Sequence, residues 1–175
     1  MDLGRPDLAT NAVEALAIYR ELGDLGGQAT AANSLGASAF YTGDWEQAAE
    51  WYEQGRELLS RTGNAVDAAF GTSNVAEILA NQGYLDEAEA RFVEALRVWQ
   101  AAGYRGGVGF ATMHLARIAA RRGDAERAAE LLARARAEFE AIEAATDVLE
   151  TDVVAAEAAL LAGDPEQALA RAADA

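Results

Sequence analysis

Short apolar stripes alternate with glycine-marked breaks along this chain, and the stripes have the spacing of helices. Ala12, Ala15, Leu16, Tyr19 and Leu22 share one face of a first helix over residues 8–22. Similar stripes then return on a fixed step. Gly43, Gly83, Gly123 and Gly163 stand 40 residues apart, and Ala48, Ala88, Ala128 and Ala168 keep the same step, as do Tyr52, Phe92 and Leu132. A gapless recurrence in this range marks stacked supersecondary units rather than one irregular domain. Small residues form columns at Gly36, Ala76, Ala116 and Ala156 and at Gly55, Ala95 and Ala135, with Leu35, Val75 and Leu115 beside them. Small against large is how close-packed helices interdigitate.

The pattern divides the chain into one repeat domain over 1–175. Residues 1–23 are the second helix of a partial repeat, 24–63, 64–103 and 104–143 are full repeats, and 144–175 is a shortened one. The spacing predicts helices over 28–41, 45–61, 65–81, 85–101, 107–121, 125–141 and 147–161, with the turns on the glycine register. Asp44 reads as an N-cap with Gln47 as its capping-box partner, Asp124 as another N-cap, and Asp164-Pro165-Glu166-Gln167 as the start of a last helix. No run of β-branched residues alternates as a strand would. The half-repeats at the two ends read as a segment of a longer protein. Leu8, Leu16 and Tyr19 at one end, and Val153, Val154, Leu160, Leu161 and Leu169 at the other, are expected to lack cover. Their burial would support weak homo-oligomerisation.

Composition narrows the function classes. The net charge is -15, from 29 acids against 14 arginines and no lysine, which opposes a nucleic-acid groove. The acidity reads first as a solvated helical surface and second as a preference for basic partners. With no cysteine, disulfides, thiolate metal sites and cysteine nucleophiles are excluded. The N-terminal stretch lacks the basic start and apolar run of a signal peptide, and no stretch approaches the roughly 20 apolar residues of a membrane span. The expectation is a cytoplasmic protein without membrane or nucleic-acid partners.

The residues at the repeat marks resemble the tetratricopeptide repeat (TPR) family. Leu35-Gly36, Gly43-Asp44, Ala48 and Tyr52 follow that family's signature, as do Gly83, Ala88 and Phe92, then Leu115-Ala116, Gly123-Asp124 and Ala128, then Gly163-Asp164 and Ala168. The chain departs from the pattern in its longer period, in Ala32 where an aromatic usually stands, and in Ser60 where a proline usually stands. The long variety is similar to repeat arrays of bacterial multidomain signalling and transcriptional regulators. The resemblance implies an all-α fold, a right-handed superhelix (α-solenoid) of stacked antiparallel helix pairs. It also implies a non-catalytic interaction module that binds a peptide or protein domain in a concave groove. The competing reading is a structural spacer or self-association platform without a groove ligand.

Little in the sequence points to an enzyme or a cofactor. His114 is the only histidine, and metal sites need several converging ligands. Glu87/Glu89 and Glu138/Glu140 sit two apart and face different ways on a helix. The glycine-rich run 103–109 follows a helix rather than a strand, so it reads as an inter-repeat turn rather than a phosphate loop. Ser34, Ser38 and Ser73 have no base in reach. The groove carries the functional expectation. Transferring the family's concave face by the 40-residue step gives Thr30, Asn33, Ala37, Tyr41, Phe70, Ser73, Glu77, Asn81, Phe110, Met113, Arg117 and Arg121. Phe70 and Phe110 are expected as exposed aromatics, or else packed between neighbouring first helices. Arg117 and Arg121 share a helix face and could anchor an acidic segment. In the competing arrangement Arg117 is paired by Glu77 or Glu157.

Overall fold

The computed structural model describes residues 6–174, with side chains over 10–170. Among the described residues there are nine helices and no strand: α1 (Pro6–Leu22), α2 (Leu25–Thr42), α3 (Trp45–Arg61), α4 (Ala65–Gln82), α5 (Leu85–Ala102), α6 (Arg105–Arg121), α7 (Ala125–Glu140), α8 (Ala145–Leu161) and α9 (Pro165–Asp174). None of them is long and apolar enough to cross a membrane. The helices form two compact units, one reaching to Tyr84 and the other starting at Leu85.

One kind of turn joins successive helices. Gly43 adopts a left-handed backbone (φ 82°), and its N–H donates to the Phe40 carbonyl at 3.1 Å. The next N–H, from Asp44, donates to the Ala39 carbonyl at 2.9 Å. These two bonds satisfy the last carbonyls of α2. Asp44 then turns its carboxylate to the Gln47 N–H at 3.1 Å and opens α3. Two residues therefore close one helix and start the next. The expected reciprocal half of the capping box is absent, because the Asp44 N–H is already committed to Ala39. Asp24, Asn64, Asp124 and Asp164 cap α2, α4, α7 and α9 in the same way. Within each unit the short links make consecutive helices antiparallel.

Tyr104 before α6 gives no side-chain cap, and the turn before α8 departs further. Its left-handed residue is Glu143 (φ 57°), and Ala144 supplies no side-chain cap. A side chain in that backbone region costs about 1–2 kcal/mol, and a missing N-cap about 1 kcal/mol. Glu143→Gly combined with Ala144→Asp should therefore stabilise unit 2 by roughly 1–3 kcal/mol. Urea denaturation checks this; an unchanged midpoint would remove the strain argument.

In unit 1, α1, α2 and α3 share a core of Ala12, Leu16, Ala31 and Leu35 with Trp51 against it. A second cluster joins α2, α3 and α4 through Ala39, Ala48, Tyr52, Val75 and Ile78. Gly36 is small because the Tyr52 ring lies on it; a Cβ there would sit 2.7 Å from the ring. In unit 2, α6, α7 and α8 meet through Met113, Ala116, Leu132, Ala135, Phe139 and Val154. Two side chains expected to lack cover are thus core residues: Leu16 lies against α2, and Val154 against α6 and α7. Tyr19 is half-buried, Val153, Leu160, Leu161 and Leu169 are exposed, and Leu8 lies outside the described side chains.

Candidate functional site

Each unit places its own share of the expected groove residues. In unit 1 a cavity of about 430 Å³ opens between α2 and α4. Of the groove candidates, Thr30, Asn33, Ala37 and Phe70 line it, together with Ser34, Leu59 and Asp67. The added residues follow from helix geometry. Ser34 adjoins Asn33 on α2, Asp67 stands one turn before Phe70 on α4, and Leu59 closes the space from the end of α3. The other unit 1 candidates do not line the cavity. Ser73 is fully buried and its hydroxyl donates to the Phe70 carbonyl at 2.9 Å. Tyr41 is exposed and meets Phe40 edge-on, with ring centres 5.8 Å apart. Asn81 is exposed and Glu77 half-buried. Burial, with smaller contributions from the charges of Glu77 and Tyr41, pushes the Tyr52 hydroxyl up to about 12.

The cavity wall is rich in hydrogen-bond acceptors. The Thr30 hydroxyl donates to the Gly26 carbonyl and the Ser34 hydroxyl to the Thr30 carbonyl, each at 3.1 Å. Their lone pairs are what remains. Asn33 Oδ1 is buried without a hydrogen-bond partner, in space that exists because residue 55 is glycine; a Cβ there would come within 2.8 Å of it. Asp67 accepts from Asn64 Nδ2 at 2.6 Å and is exposed. α2 carries no charged residue, and α4 carries only Asp67 and Glu77.

The unit 2 candidates are occupied by internal contacts. Phe110 is half-buried, edge-on to Trp99 at 6.5 Å and 4.4 Å from the His114 ring, so it is packed rather than presented as an exposed aromatic. Phe70 is likewise half-buried. Met113 is buried, its sulfur 3.6 Å from the Thr151 hydroxyl, which donates to the Asp147 carbonyl at 2.8 Å, so it lines no open surface. Arg117 Nε donates to Glu157 at 3.0 Å, which is the competing arrangement rather than a waiting anchor. Arg121 is exposed at the end of α6.

His114 lies inside the unit, stacked on Phe92 at 4.9 Å with its ring nearly parallel. Burial, and secondarily the Arg117 charge, lowers its pKa to about 3. Two other groupings were not expected from the sequence. Arg122 bonds Asp86 and Glu89, and Arg127 donates to Glu89 at 2.9 Å, which together hold the Glu89 carboxyl below its usual range. A second cavity of about 230 Å³ lies among α7, α8 and α9, walled largely by alanines, with the Arg136–Asp152 ion pair at its edge.

Helix pairs joined by links of two to four residues, and a polar space between successive first helices, define a helical-repeat protein. Residues 72–102 match the model of the tetratricopeptide repeat family. Solved structures share the fold. BtubC (BKLC) from P. vanneervenii has 18% identity and a TM-score of 0.65, over 99% of this chain and 90% of that one. A variant of a putative kinesin light chain with nearly identical TPR-like repeats, from Podosopora anserina, has 18% identity and a TM-score of 0.66, over 95% and 82%. A second structure of that protein has 17% identity and a TM-score of 0.58, over 97% and 93%. No curated protein matches the sequence. The chain has an all-α, TPR-like repeat fold.

Proposed function

We propose that the chain is a protein–protein interaction module that captures a peptide segment in the cavity between α2 and α4. TPR-like repeats generally serve protein binding, and the cavity is the observation that carries the finer reading. It falls in the ~300–1,000 Å³ range of ligand-sized clefts and combines an aromatic ring with convergent polar groups. Its walls come from α2 and α4, each packed against α3, so the site is held in place before a ligand arrives, which lowers the ordering cost of binding. No catalytic role is assigned to any of its residues.

Ala37 is half-buried in the cavity wall, and a large side chain there would fill the space without touching a cap or the Tyr52 contact. A display library of random short peptides selected on the chain should yield binders that lose at least about tenfold in affinity to Ala37→Trp, the equivalent of ~1.4 kcal/mol. Circular dichroism would establish that the variant is folded. Enriched peptides that bind Ala37→Trp equally well would place recognition elsewhere, and an absence of binders would favour a spacer.

A further inference from the structure

We infer that the unit 1 groove takes an extended segment bearing an arginine or lysine, whose cationic group seats between the Asp67 carboxylate and the Phe70 ring. The inference rests on the groove reading above and gives it a ligand chemistry. Asp67 and Phe70 are three residues apart on α4 and both line the cavity. A carboxylate and an aromatic face presented together both attract a cation. Asp67 is the only charged residue in the cavity wall. Its bond from Asn64 uses one of about four acceptor positions, which leaves the others for a ligand.

The rest of the wall has the same preference. Thr30 and Ser34 spend their protons on helix carbonyls and leave lone pairs to the groove, whereas Asn33 Oδ1 is turned away from it toward Gly55 of α3. An acceptor-lined groove is complementary to the N–H groups of a guanidinium, an ammonium or an extended backbone. An acidic side chain would meet Asp67 with no arginine in the wall to offset it, a repulsion that sharpens specificity. The chain's net charge of -15 steers a basic segment toward it. Leu59 and Ala37 provide an apolar patch for a neighbouring side chain of the segment.

The test uses the whole chain and three fluorescein-labelled peptides of one sequence, with leucines flanking a central arginine, citrulline or glutamate. Citrulline keeps the shape of arginine and removes its charge. Fluorescence anisotropy should show the arginine probe binding about tenfold or more tightly than the citrulline probe, as expected for a charge-assisted contact. The glutamate probe should bind weakest. Asp67→Asn should bring arginine and citrulline to near-equal affinity, and Phe70→Leu should weaken the arginine probe severalfold. Rising salt should narrow the arginine advantage. Equal binding of arginine and citrulline probes, both blocked by Ala37→Trp, would overturn the cationic ligand and leave the groove reading standing. Tighter glutamate binding would do the same. No binding by any probe, or binding indifferent to Ala37→Trp, would overturn both. A dimer that Ala37→Trp dissociates would make a second copy of the chain the occupant and overturn the inference.

Discussion

Acidification should weaken unit 2 from about pH 6.5 downward, and His114→Phe should remove most of that loss. The folded pKa of His114 is lowered from 6.5 to about 3, by burial first and by the Arg117 charge second. Below pH 6.5 the unfolded imidazole takes a proton that the folded one refuses. The unfolded state therefore binds more protons throughout the window, and stability falls as pH falls. The contribution is complete above pH 6.5 and lost by about pH 3. At about 1.4 kcal/mol per unit, the loss is on the order of 4–5 kcal/mol, a large part of the ~5–15 kcal/mol of an ordinary domain. A phenylalanine keeps a flat ring between Phe92 and Phe110 and has nothing to protonate. The Glu89 carboxyl also loses stability in acid, but it is common to both proteins and cancels in their difference. Trp45 and Trp51 lie in unit 1 and Trp99 in unit 2, so a Trp45→Phe/Trp51→Phe background lets emission follow unit 2 alone. Parallel stability curves for His and Phe at position 114 would refute the buried neutral imidazole.

The turns were the most legible part of the fold, because a left-handed residue closing a helix favours glycine on steric grounds. Gly23, Gly43, Gly63, Gly83, Gly103, Gly123 and Gly163 all adopt it. The same reasoning missed position 143, where the step from Gly103 lands on a glutamate that accepts the strain. Helix starts were harder. Gly106-Gly107 and Gly26-Gly27 have the composition of loops, yet α6 begins at Arg105 and α2 at Leu25. Gly27 and Gly107 lie under aromatic rings supplied by the preceding helix, so their smallness records a close approach rather than a bend. The run 103–109 is therefore part turn and part helix. The 40-residue step put Thr30, Asn33, Ala37 and Phe70 on faces that line the unit 1 cavity, since backbone register decides which face a residue takes. It could not give Asp67 a role, because no groove column included it; the one-turn spacing from Phe70 would have. Nor could register alone show that Ser73 and Met113 are covered, since cover depends on neighbouring side chains. The pairing of Arg117 with Glu157 was readable as an alternative, because the two stand one repeat apart.

Replacing Trp99 should cost unit 2 more than any other single truncation. Its ring is fully buried, with Phe110 edge-on at 6.5 Å and Tyr104 tilted at 6.4 Å. Trp99→Ala removes that burial and leaves a cavity, at about 3–5 kcal/mol. The seat of the ring is Gly107, where a Cβ would lie 2.3 Å from Trp99 Cδ2. The atom in the way belongs to a packed indole rather than to a flexible tip. Gly107→Ala alone should therefore destabilise, by about 1–3 kcal/mol. The sign should reverse once the ring is gone. Alanine is the better helix former, worth up to ~1 kcal/mol over glycine within a helix, and in the Trp99→Ala background its methyl meets space instead of carbon. The two substitutions lie in one contact, so their effects should not add. Urea denaturation by circular dichroism on the wild type, both single variants and the double variant closes the cycle. The double variant should be at least as stable as Trp99→Ala. Equal costs for Gly107→Ala with and without the indole would mean that the glycine serves the start of α6 itself, and the ring-seat account would be abandoned.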